Sequence, residues 1–597
     1  MAQSNTKILT LPFPLSGVAR GLSFTQQPPG TSPDASNVRP TDTFYRRRRG
    51  GSRPMLIKSH ADASAVAGAA QALAGVSKVA AGILSRILVE IAGGVIYSDS
   101  GSTPGDMASV SATIVCNSAL ANIQVVEHGQ KLYIADWGAA RVEGTDGVVT
   151  SISNLLDATS VSDWTAHGIN KDTDVVTMYN AAGTVSLTCA ISDIHATNGL
   201  TLVGAPAANP TGLIFSVHRG VKVYDATANT VSLLTTTLGC VPANCPCTSV
   251  FRDRLCLAGP NHVWYMSRQG TFTDWHYGAD AVDSGRAISH TLSFSGTPGK
   301  PITAILGHGN DCQLFACEDE LWIMRGDPAY NGTISKLAPI HGIVGPSSWC
   351  DLPDFGTMFL SQDGLSVISG GCAATPAPMS RIFIPLALQN VNPNTNATAL
   401  VYDSEHGGIH VYVTPTAGTA GEHWWIDWPL GQNEQRPPSF HKILFGALDH
   451  QPTVALNFDA GPGQARHVLM GCHDGYVREF SDTAITDDGT AVASYVIIGP
   501  FRPAGNDYQT GMVRELIGTL ATGSASVAWQ LFAAATMEQA VDETIPKASG
   551  TWVAGRNNVA YPRVSDGAVL LKLSSTGRWA LESITAVVEG FGGRQRT

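Results

Sequence analysis

Four cysteines in one short stretch are the residues whose type and spacing come nearest to a metal site. Cys240, Cys245 and Cys247 lie in the sequence CVPANCPC, and Cys256 follows them. The intervening residues number four, one and eight, whereas structural zinc sites typically use cysteine pairs separated by two to four residues. We therefore predict a loop with buried thiols, and zinc binding is the alternative.

Two further patterns suggest carbohydrate chemistry. Ser361 to Gly364 (SQDG) is similar to the Asp-box turn, S-x-D-x-G-x-T-W, but the glycine falls at the wrong position and no tryptophan follows. Trp424, Trp425 and Trp428 (HWWIDW) could form an aromatic platform for a sugar. Packing inside a β structure is the commoner use of large aromatic side chains. We predict a structural turn and core packing, respectively.

The chain contains none of the strong catalytic patterns. It lacks G-x-S-x-G, H-E-x-x-H and a Walker A loop, and these patterns would identify a hydrolase nucleophile, a zinc protease or a nucleotide site. We therefore predict a protein that is not an enzyme and that uses no metal or other cofactor. The basic run Arg46 to Arg49, which Arg53 follows, has three interpretations: contact with DNA phosphates, an interface between subunits, or a solvated turn.

Composition favours a large β protein. The chain has 597 residues, 44% of them hydrophobic, with 62 glycines and 33 prolines that suit many tight turns. Charged residues make up only 14% and the net charge is −11. That charge argues against a protein that grips nucleic acid along its surface, but not against a channel through which DNA slides. No signal peptide or membrane span is predicted, and eleven cysteines do not indicate a disulfide framework.

The predicted elements fall into three parts. Residues 1–60 are proline-rich without a hydrophobic period, and we predict an extended arm outside the globular core. Residues 61–500 contain the recurring pattern described next, and residues 501–597 read as a C-terminal β-sandwich-like domain, with a short helix opening at Thr536. Residues 61–82 are alanine-rich, which is compatible with a short helix, but three glycines count against it.

A turn followed by a short β-branched or aromatic strand recurs through the middle of the chain. A two-residue hairpin turn is predicted at Gly93-Gly94. In LYIAD, Leu132 and Ile134 should face one way and Tyr133 and Ala135 the other. The spacing favours a β-propeller-like body, and any large antiparallel β protein is the alternative. The examples are Glu127 to Trp137, His218 to Ala226, Pro260 to Arg268, Glu318 to Gly326, Ser361 to Gly371, Glu405 to Val413 and His473 to Asp482.

The N-terminal phrase ARGLSFTQQPPGTSPDASNVRP…RRRRGGSRPML resembles the start of the tail nozzle proteins (tail tubular protein B) of short-tailed bacteriophages. The resemblance covers about the first sixty residues, and the matching ones are Gly21, Gln26, Gln27, Pro28, Asn37, Arg49, Gly50, Arg53 and Pro54. The closing LSSTGRWALESITAVVEGFGGRQR is similar to the last strands of such proteins. The resemblance implies an assembly interface at Gln26, Gln27, Pro28, Asn37, Arg46, Arg47, Arg48, Arg49, Arg53 and Pro54.

The resemblance also implies a function. It indicates a structural subunit of a virion tail, made in the host cytoplasm and assembled as a homohexamer below the portal and its adaptor protein. Tail fibre or spike proteins would be further partners, and phage DNA would pass through the lumen without sequence-specific binding or stable membrane insertion. A tail-associated protein that binds or depolymerises carbohydrate is the alternative, and a bacterial interaction scaffold is a third interpretation.

Overall fold

The computed structural model shows a chain built almost entirely of β-strands. It describes residues 5–594 apart from 60–67, 100–106, 137, 151–152, 207–208, 260–261, 279–281, 291–295, 309–311, 354, 372–373, 382, 429–436, 462–465 and 507–508. The helix α1, Met537–Asp542, and three 3-10 turns, Phe24–Gln26, Trp164–His167 and Leu448–His450, are the helical elements of these residues. Within the described part of the chain, no helix is long and apolar enough to cross a membrane. The prediction of a mainly β protein is confirmed.

Most of the strands form seven antiparallel groups of four, here called sheets 1 to 7 along the chain. Six are separate sheets, and sheet 6 is one end of a nine-stranded sheet that continues into the C-terminal strands. Sheet 1 consists of Ala70–Ala80, Ile83–Ala92, Val95–Ser98 and Ala108–Ser109. Sheet 2 consists of Gln124–His128, Lys131–Ala135, Lys222–Asp225 and Thr230–Leu233. Sheet 3 consists of Cys247–Phe251, Arg254–Ala258, Trp264–Met266 and Ile288–Ser289.

Sheets 4 to 7 follow the same plan, with one exception in sheet 7. Its fourth strand comes from the N-terminal segment and pairs with the strand before it from Met55↔Ser481 to Lys58↔Arg478. Sheet 4 consists of Ile302–His308, Cys312–Cys317, Leu321–Asp327 and Tyr330–Ala338, and sheet 5 of Trp349–Leu352, Gly356–Ser361, Gly364–Ser369 and Ala377–Pro378. Sheet 6 consists of Asn396–Asp403, Gly408–Pro415, Glu422–Asp427 and Ser439–Ile443. Sheet 7 consists of Pro452–Asp459, Arg466–Cys472, Val477–Ser481 and Met55–Lys58.

The seven sheets pack face to face in a closed series. The first strands of sheets 7 and 1 contact each other, as do those of sheets 1 and 2, 2 and 3, 3 and 4, 5 and 6, and 6 and 7. An apolar cluster that includes Leu314 and Phe359 fills the space between sheets 4 and 5. Buried apolar side chains therefore lie on both faces of these sheets. As predicted, Leu132 and Ile134 pack towards sheet 1, while Tyr133 and Ala135 pack towards sheet 3.

A closed six-stranded barrel interrupts sheet 2 between its second and third strands. The barrel has its own core around Trp164 and Phe215. Asp136, where the chain enters the barrel, accepts hydrogen bonds from Arg219 and from the buried Lys222, where the chain leaves it. One carboxylate therefore joins the two connections between sheet 2 and the barrel. The strands are Val142–Thr150, Leu155–Asp157, Asp174–Tyr179, Ser186–His195, Gly199–Val203 and Leu213–Arg219.

The C-terminal strands form two sheets that share a large core. One contains Gln509–Leu520, Gly555–Arg556, Val564–Asp566 and Leu581–Arg594, and the other contains Ser494–Phe501, Val527–Ala534, Ala548–Trp552 and Ala568–Ser575. We call these the end sheets. The N-terminal strand Asn5–Thr10 joins the first, and Ala35–Ser36 links the second to sheet 6. The remaining paired strands are Val38–Arg39 with Gly51–Ser52 and Leu238–Gly239 with Asp274–Trp275.

Two local expectations have opposite outcomes. The helix at 537–542 is confirmed, and the Thr536 hydroxyl caps it by accepting a hydrogen bond from the Gln539 amide. The alanine-rich helix is wrong for the described part of that segment, because Ala70–Ala80 is a strand of sheet 1. The apolar run Ile83–Ala92 after it pairs with it along its whole length, and burial between sheets outweighs the weak helix preference of a glycine-containing run. Residues 61–67 lie outside the described part.

Candidate functional site

The N-terminal segment runs between sheet 6, sheet 7 and the end sheets. Residues 31–40 are buried except for Asp34, and Met55 and Leu56 lie in the core. This differs from our expectation of an arm outside the globular core, because the segment is extended but packs inside this chain. The predicted role of the segment in assembly with other subunits stays a prediction.

Arg53 is the centre of a buried polar anchor in this segment. Its guanidinium binds both carboxylate oxygens of Asp487, and the side chains of Arg53 and Asp487 are 0% exposed. The Arg53 Nε–H donates to the Asn37 side-chain oxygen at 2.9 Å, and its remaining donors reach the carbonyls of Pro54 and Leu444. Because every guanidinium nitrogen has an acceptor, the usual cost of burying this charge is offset by its hydrogen bonds.

Asn37 and Asp487 tie the anchor to three parts of the molecule. The Asn37 side chain accepts from the Leu444 amide, beside sheet 6, and donates to the Ala493 carbonyl, beside the end sheets. Asp487 accepts from the Leu56 amide, which belongs to sheet 7. Asn37 has a φ of 57°, and asparagine tolerates this left-handed conformation better than most residues. The residue type therefore matches both the backbone and the side-chain contacts.

The basic run forms an exposed loop that is organised by one aspartate. Asp42 accepts hydrogen bonds from the amides of Phe44, Tyr45 and Arg47 and from the Arg49 side chain. Gly50 closes the loop with a φ of +78°, and a Cβ at this position would lie 2.2 Å from the Phe13 ring. We call residues 40–50 the basic loop.

Three of the four arginines in the basic loop pair with carboxylates of this same chain. Arg46 donates to Glu405 and Asp482, Arg48 to Asp427, and Arg49 to Asp42 and Glu582. Arg47 lies over the Tyr45 ring at 5.1 Å and has no ion pair among the described residues. The side chain of Arg46 is 46% exposed, so solvent screens its pairs far more than those of Arg53.

Gln26, Gln27 and Pro28 lie apart from this site. Gln26 ends a 3-10 turn and is exposed, and the Gln27 side chain donates to the Ala19 carbonyl at 3.3 Å. Gln27 and Pro28 line a separate cleft of about 350 Å³ against Ile498 and Phe501 of an end-sheet strand. The structure therefore brings Asn37, Arg53 and Pro54 together, with the basic loop nearby, but not the Gln-Gln-Pro phrase.

A cavity of about 210 Å³ lies between the basic loop and sheet 6. Arg39 lines it, and its guanidinium lies 4.1 Å from the Trp425 ring centroid and 4.9 Å from that of Phe480. None of the three guanidinium nitrogens has a hydrogen-bond partner in the described residues. Burial lowers the pKa of Arg39 to about 10. Stacking on two aromatic faces holds this side chain in place.

His406 links the cavity to a buried aspartate. Its Nδ1 lies 2.8 Å from a carboxylate oxygen of Asp403, and its Nε2 lies 3.8 Å from Asp482. Burial alone would lower the pKa of His406, but the contacts with Asp403 and Asp482 raise it above its usual value. Burial lowers the pKa of His410, the second histidine on Asp403, to about 4. His406 thus lies between the loop partner Asp482 and the Asp403 carboxylate of sheet 6.

Sequence reasoning missed several members of this site. Arg39, Asp42, Asp403 and Asp487 carry no motif, and no local signal distinguishes them from other charged residues in a polar stretch. Asp42 alone could have been found, since an aspartate followed by a turn commonly accepts hydrogen bonds from amides two and three residues ahead.

The other candidate residues lie elsewhere. Cys245 belongs to one apolar cluster and Cys247 and Cys256 to another, and burial raises the pKa of Cys247 and of Cys256 to about 12. No group of three or more potential metal ligands occurs in the described part of the chain. Nine cysteines there are free, and Cys312 is disulfide-bonded. Trp424 and Trp425 are 0% and 2% exposed, so they pack in the core as predicted.

Comparisons with known proteins give no family for this chain. No family model matches it, and no curated protein matches it. Similar solved structures include the computationally designed Ika8 protein, at 10% identity and a TM-score of 0.30, over 71% of this chain and 100% of that one. A chain of the mitotic checkpoint complex has 10% identity and a TM-score of 0.31, over 62% and 89%. The structure of BBS1N in complex with ARL6DN has 10% identity and a TM-score of 0.27, over 57% of this chain and 99% of that one.

Proposed function

We propose that this chain is a structural subunit of a bacteriophage tail, a nozzle protein whose copies form a ring around the DNA exit channel. Its seven sheets are then the blades of a β-propeller, and the end sheets form a β-sandwich that closes the molecule. The proposal rests on the resemblance of the N-terminal phrase to nozzle proteins. The observation that carries it is the anchor built from that phrase.

The residues behind the resemblance have a shared structural task. Asn37, Arg53 and Pro54 join sheet 6, sheet 7 and the end sheets through one hydrogen-bond network. Gly50 fits a backbone conformation and a close contact with Phe13 that a side chain would disturb. A phrase needed to hold two parts of a subunit rigidly together fits a protein that must bear load in a tail, and it requires no catalytic residue.

The charges of the basic loop favour a structural role over a grip on DNA. Arg46, Arg48 and Arg49 are already neutralised by carboxylates within the chain. Phosphate binding would need these arginines to exchange their partners, and the net charge of −11 opposes binding along the surface. DNA would accordingly pass this protein without being held. Filter binding of duplex DNA at physiological salt should detect no complex.

The carbohydrate alternative is less well supported by the cavity beside the loop. The carboxylates that line it, Asp42, Glu405, Asp427 and Asp482, each bind an arginine, whereas a glycosidase needs one carboxyl free to give a proton and one free to attack or activate water. We therefore propose that the cavity is not catalytic. Release of reducing sugar from host polysaccharide by the purified protein, abolished by Asp482→Asn, would reverse this order.

The direct test uses the virus whose genome encodes the chain. Peptide mass spectrometry of purified virions should find the protein in a stoichiometry of six per particle, and negative-stain images of the tail tip should show a six-fold ring labelled by an antibody against it. Virions that lack the protein, or that carry it as a lower-symmetry spike, would overturn the proposal.

A further inference from the structure

One hairpin of sheet 1 ends in an exposed tip beside the turns of its neighbours, where the Val79 N–H donates to the Gln130 side chain and the Arg86 N–H to the Ala460 carbonyl. Ala70–Ala80 and Ile83–Ala92 pair antiparallel down to Ala80↔Ile83, and the turn is Ala81-Gly82. Residues 79–86 are all exposed, although the base of the same hairpin is buried. We call residues 79–84, of sequence VAAGIL, the hairpin tip.

The hairpin tip is apolar on both of its faces. Cross-strand partners share a face, so Val79 and Leu84 lie on one side, and Ala80 and Ile83 on the other. Val79, Ile83 and Leu84 are 48%, 71% and 40% exposed. A hairpin that docks on a protein surface needs only one apolar face, with the other left polar towards water. An apolar tip on both sides fits immersion in an apolar medium.

A basic collar follows the tip on each face. Lys78 is two residues before Ala80 on the same face of the hairpin, and Arg86 is two residues after Leu84 on the other face. Arg86 contacts Asp459 at 3.3 Å, but the same aspartate also pairs with Arg466, whose side chain is 64% exposed. Three cations and one carboxylate leave this region positive in a chain that is acidic overall. Such a collar complements anionic lipid headgroups.

The tip carries few backbone groups towards the membrane. The pair Ala80↔Ile83 closes the ladder beside the turn, and the outward-facing Val79 N–H donates to the Gln130 side chain at 2.8 Å. The residues beyond Val79 and Leu84 extend about 7 Å at roughly 3.3 Å per residue. Interfacial segments typically sink about 5–10 Å into the headgroup region.

We propose that the hairpin tip inserts reversibly into the surface of an anionic lipid membrane. A second copy of this chain is the less favoured occupant, because a protein interface usually buries about 800 Å² per partner and three side chains on a narrow tip offer much less. The insertion is peripheral and does not span the bilayer. This inference rests on the hairpin alone and holds whether or not the chain is a nozzle subunit.

The test uses the full-length protein and vesicles of phosphatidylcholine and phosphatidylglycerol in equal parts. We expect the protein to sediment with these vesicles and not with pure phosphatidylcholine, and the bound fraction to fall at least tenfold in the triple variant Val79→Ser, Ile83→Ser, Leu84→Ser. The control, Leu386→Ser, changes a side chain that is 82% exposed elsewhere and should bind as the unchanged protein does.

A second measurement separates insertion from adhesion. Ile83→Trp should show fluorescence that shifts to the blue with anionic vesicles and is quenched by brominated lipid chains. Equal sedimentation of the triple variant, or no quenching at position 83, would overturn the proposal. So would a change of oligomeric state in the triple variant without any loss of vesicle binding, because the tip would then join copies of the chain.

Discussion

Two arginines seven residues apart show how differently the same kind of ion pair is built. Arg53 is completely buried, meets both oxygens of Asp487 and has an acceptor for every guanidinium nitrogen. Arg46 also binds two carboxylates, but its side chain is 46% exposed. Both belong to one basic stretch, and the sequence treats them alike. Burial and complete pairing, rather than charge or spacing, should decide which of them holds the molecule together.

The largest effect is expected from removing the whole N-terminal segment. Deleting residues 1–58 takes away the fourth strand of sheet 7, the strand between sheet 6 and the end sheets, and Arg53. We expect loss of cooperative folding, measured as a missing thermal transition and insolubility. Deletion of residues 1–10, which removes one edge strand, is the control and should leave a folded protein. A soluble, cooperatively folded product of the longer deletion would restore our original expectation of a separate arm.

The second effect in size is that of Arg53→Ala. It leaves Asp487 as a buried charge without its partner, and such losses typically cost about 3–5 kcal/mol of unfolding free energy. Urea unfolding followed by tryptophan fluorescence should show the shift in midpoint. Arg47→Ala, an exposed residue of the same stretch, is the matched control and should change stability by less than about 0.5 kcal/mol. Equal midpoints for the two variants would abolish the comparison.

Glu90 extends the comparison to a buried acid with no partner. It is 0% exposed between sheets 1 and 7, and neither carboxylate oxygen has a hydrogen bond in the described residues. Burial raises the pKa of Glu90 to about 8, with a smaller contribution from Asp474. The proton on Glu90 therefore stabilises the fold fully below the unfolded pKa of about 4.5, and this stabilisation is lost as the pH rises towards 8.

Glu90→Gln should remove this dependence. We expect the variant to be more stable than the unchanged protein above pH 8, by an amount on the order of a few kcal/mol, and to differ little near pH 4. Thermal unfolding across that pH range measures the difference. Glu538→Gln, on the surface helix α1, is the control. A variant whose stability falls with pH as steeply as that of the unchanged protein would show that Glu90 is not the responsible group.

The smallest effect is expected in the basic loop. Replacing Arg46 and Arg48 with Ser removes partly exposed pairs with Glu405, Asp482 and Asp427, and exposed pairs are worth about 0.2–1 kcal/mol each. The loss should shrink as salt rises, since the screening length falls from about 8 Å at physiological salt to about 3 Å at 1 M. Denaturant midpoints at both salt concentrations measure this. A loss that does not change with salt would mean that the loop is held as rigidly as Arg53.

The sheets were the more predictable part of the fold. The recurring turn-and-strand pattern identified strands of sheets 2 to 7, and the Gly93-Gly94 turn identified sheet 1. It also assigned Glu127 to Trp137 and His218 to Ala226 to different units, although both contribute to sheet 2; Trp137 itself lies outside the described residues. The alternation of side chains identifies a strand but does not identify the strand with which it pairs. The sequence therefore contains no indication that a barrel separates these two neighbouring strands of sheet 2.

The candidate site was predictable only in part. Asn37, Arg53 and Pro54 were identified through the resemblance, but their burial was not. The segment buries Ser36, Asn37, Arg39 and Arg53, and polar side chains that satisfy one another leave no apolar period to read. Their partners at Asp487 and Ala493 lie more than four hundred residues away, a separation over which no sequence pattern indicates contact.

The unusual make-up of sheet 7 has a consequence for biosynthesis. Its fourth strand, Met55–Lys58, is among the first parts of the chain to be made, whereas its partner Val477–Ser481 is made near the end. At roughly 5–20 residues per second the early strand waits about 20 to 80 s on the ribosome. During that time its unpaired edge is open to other chains. Sheet 7 can therefore be completed only when the polypeptide is nearly full length, which makes its closure a late step of folding.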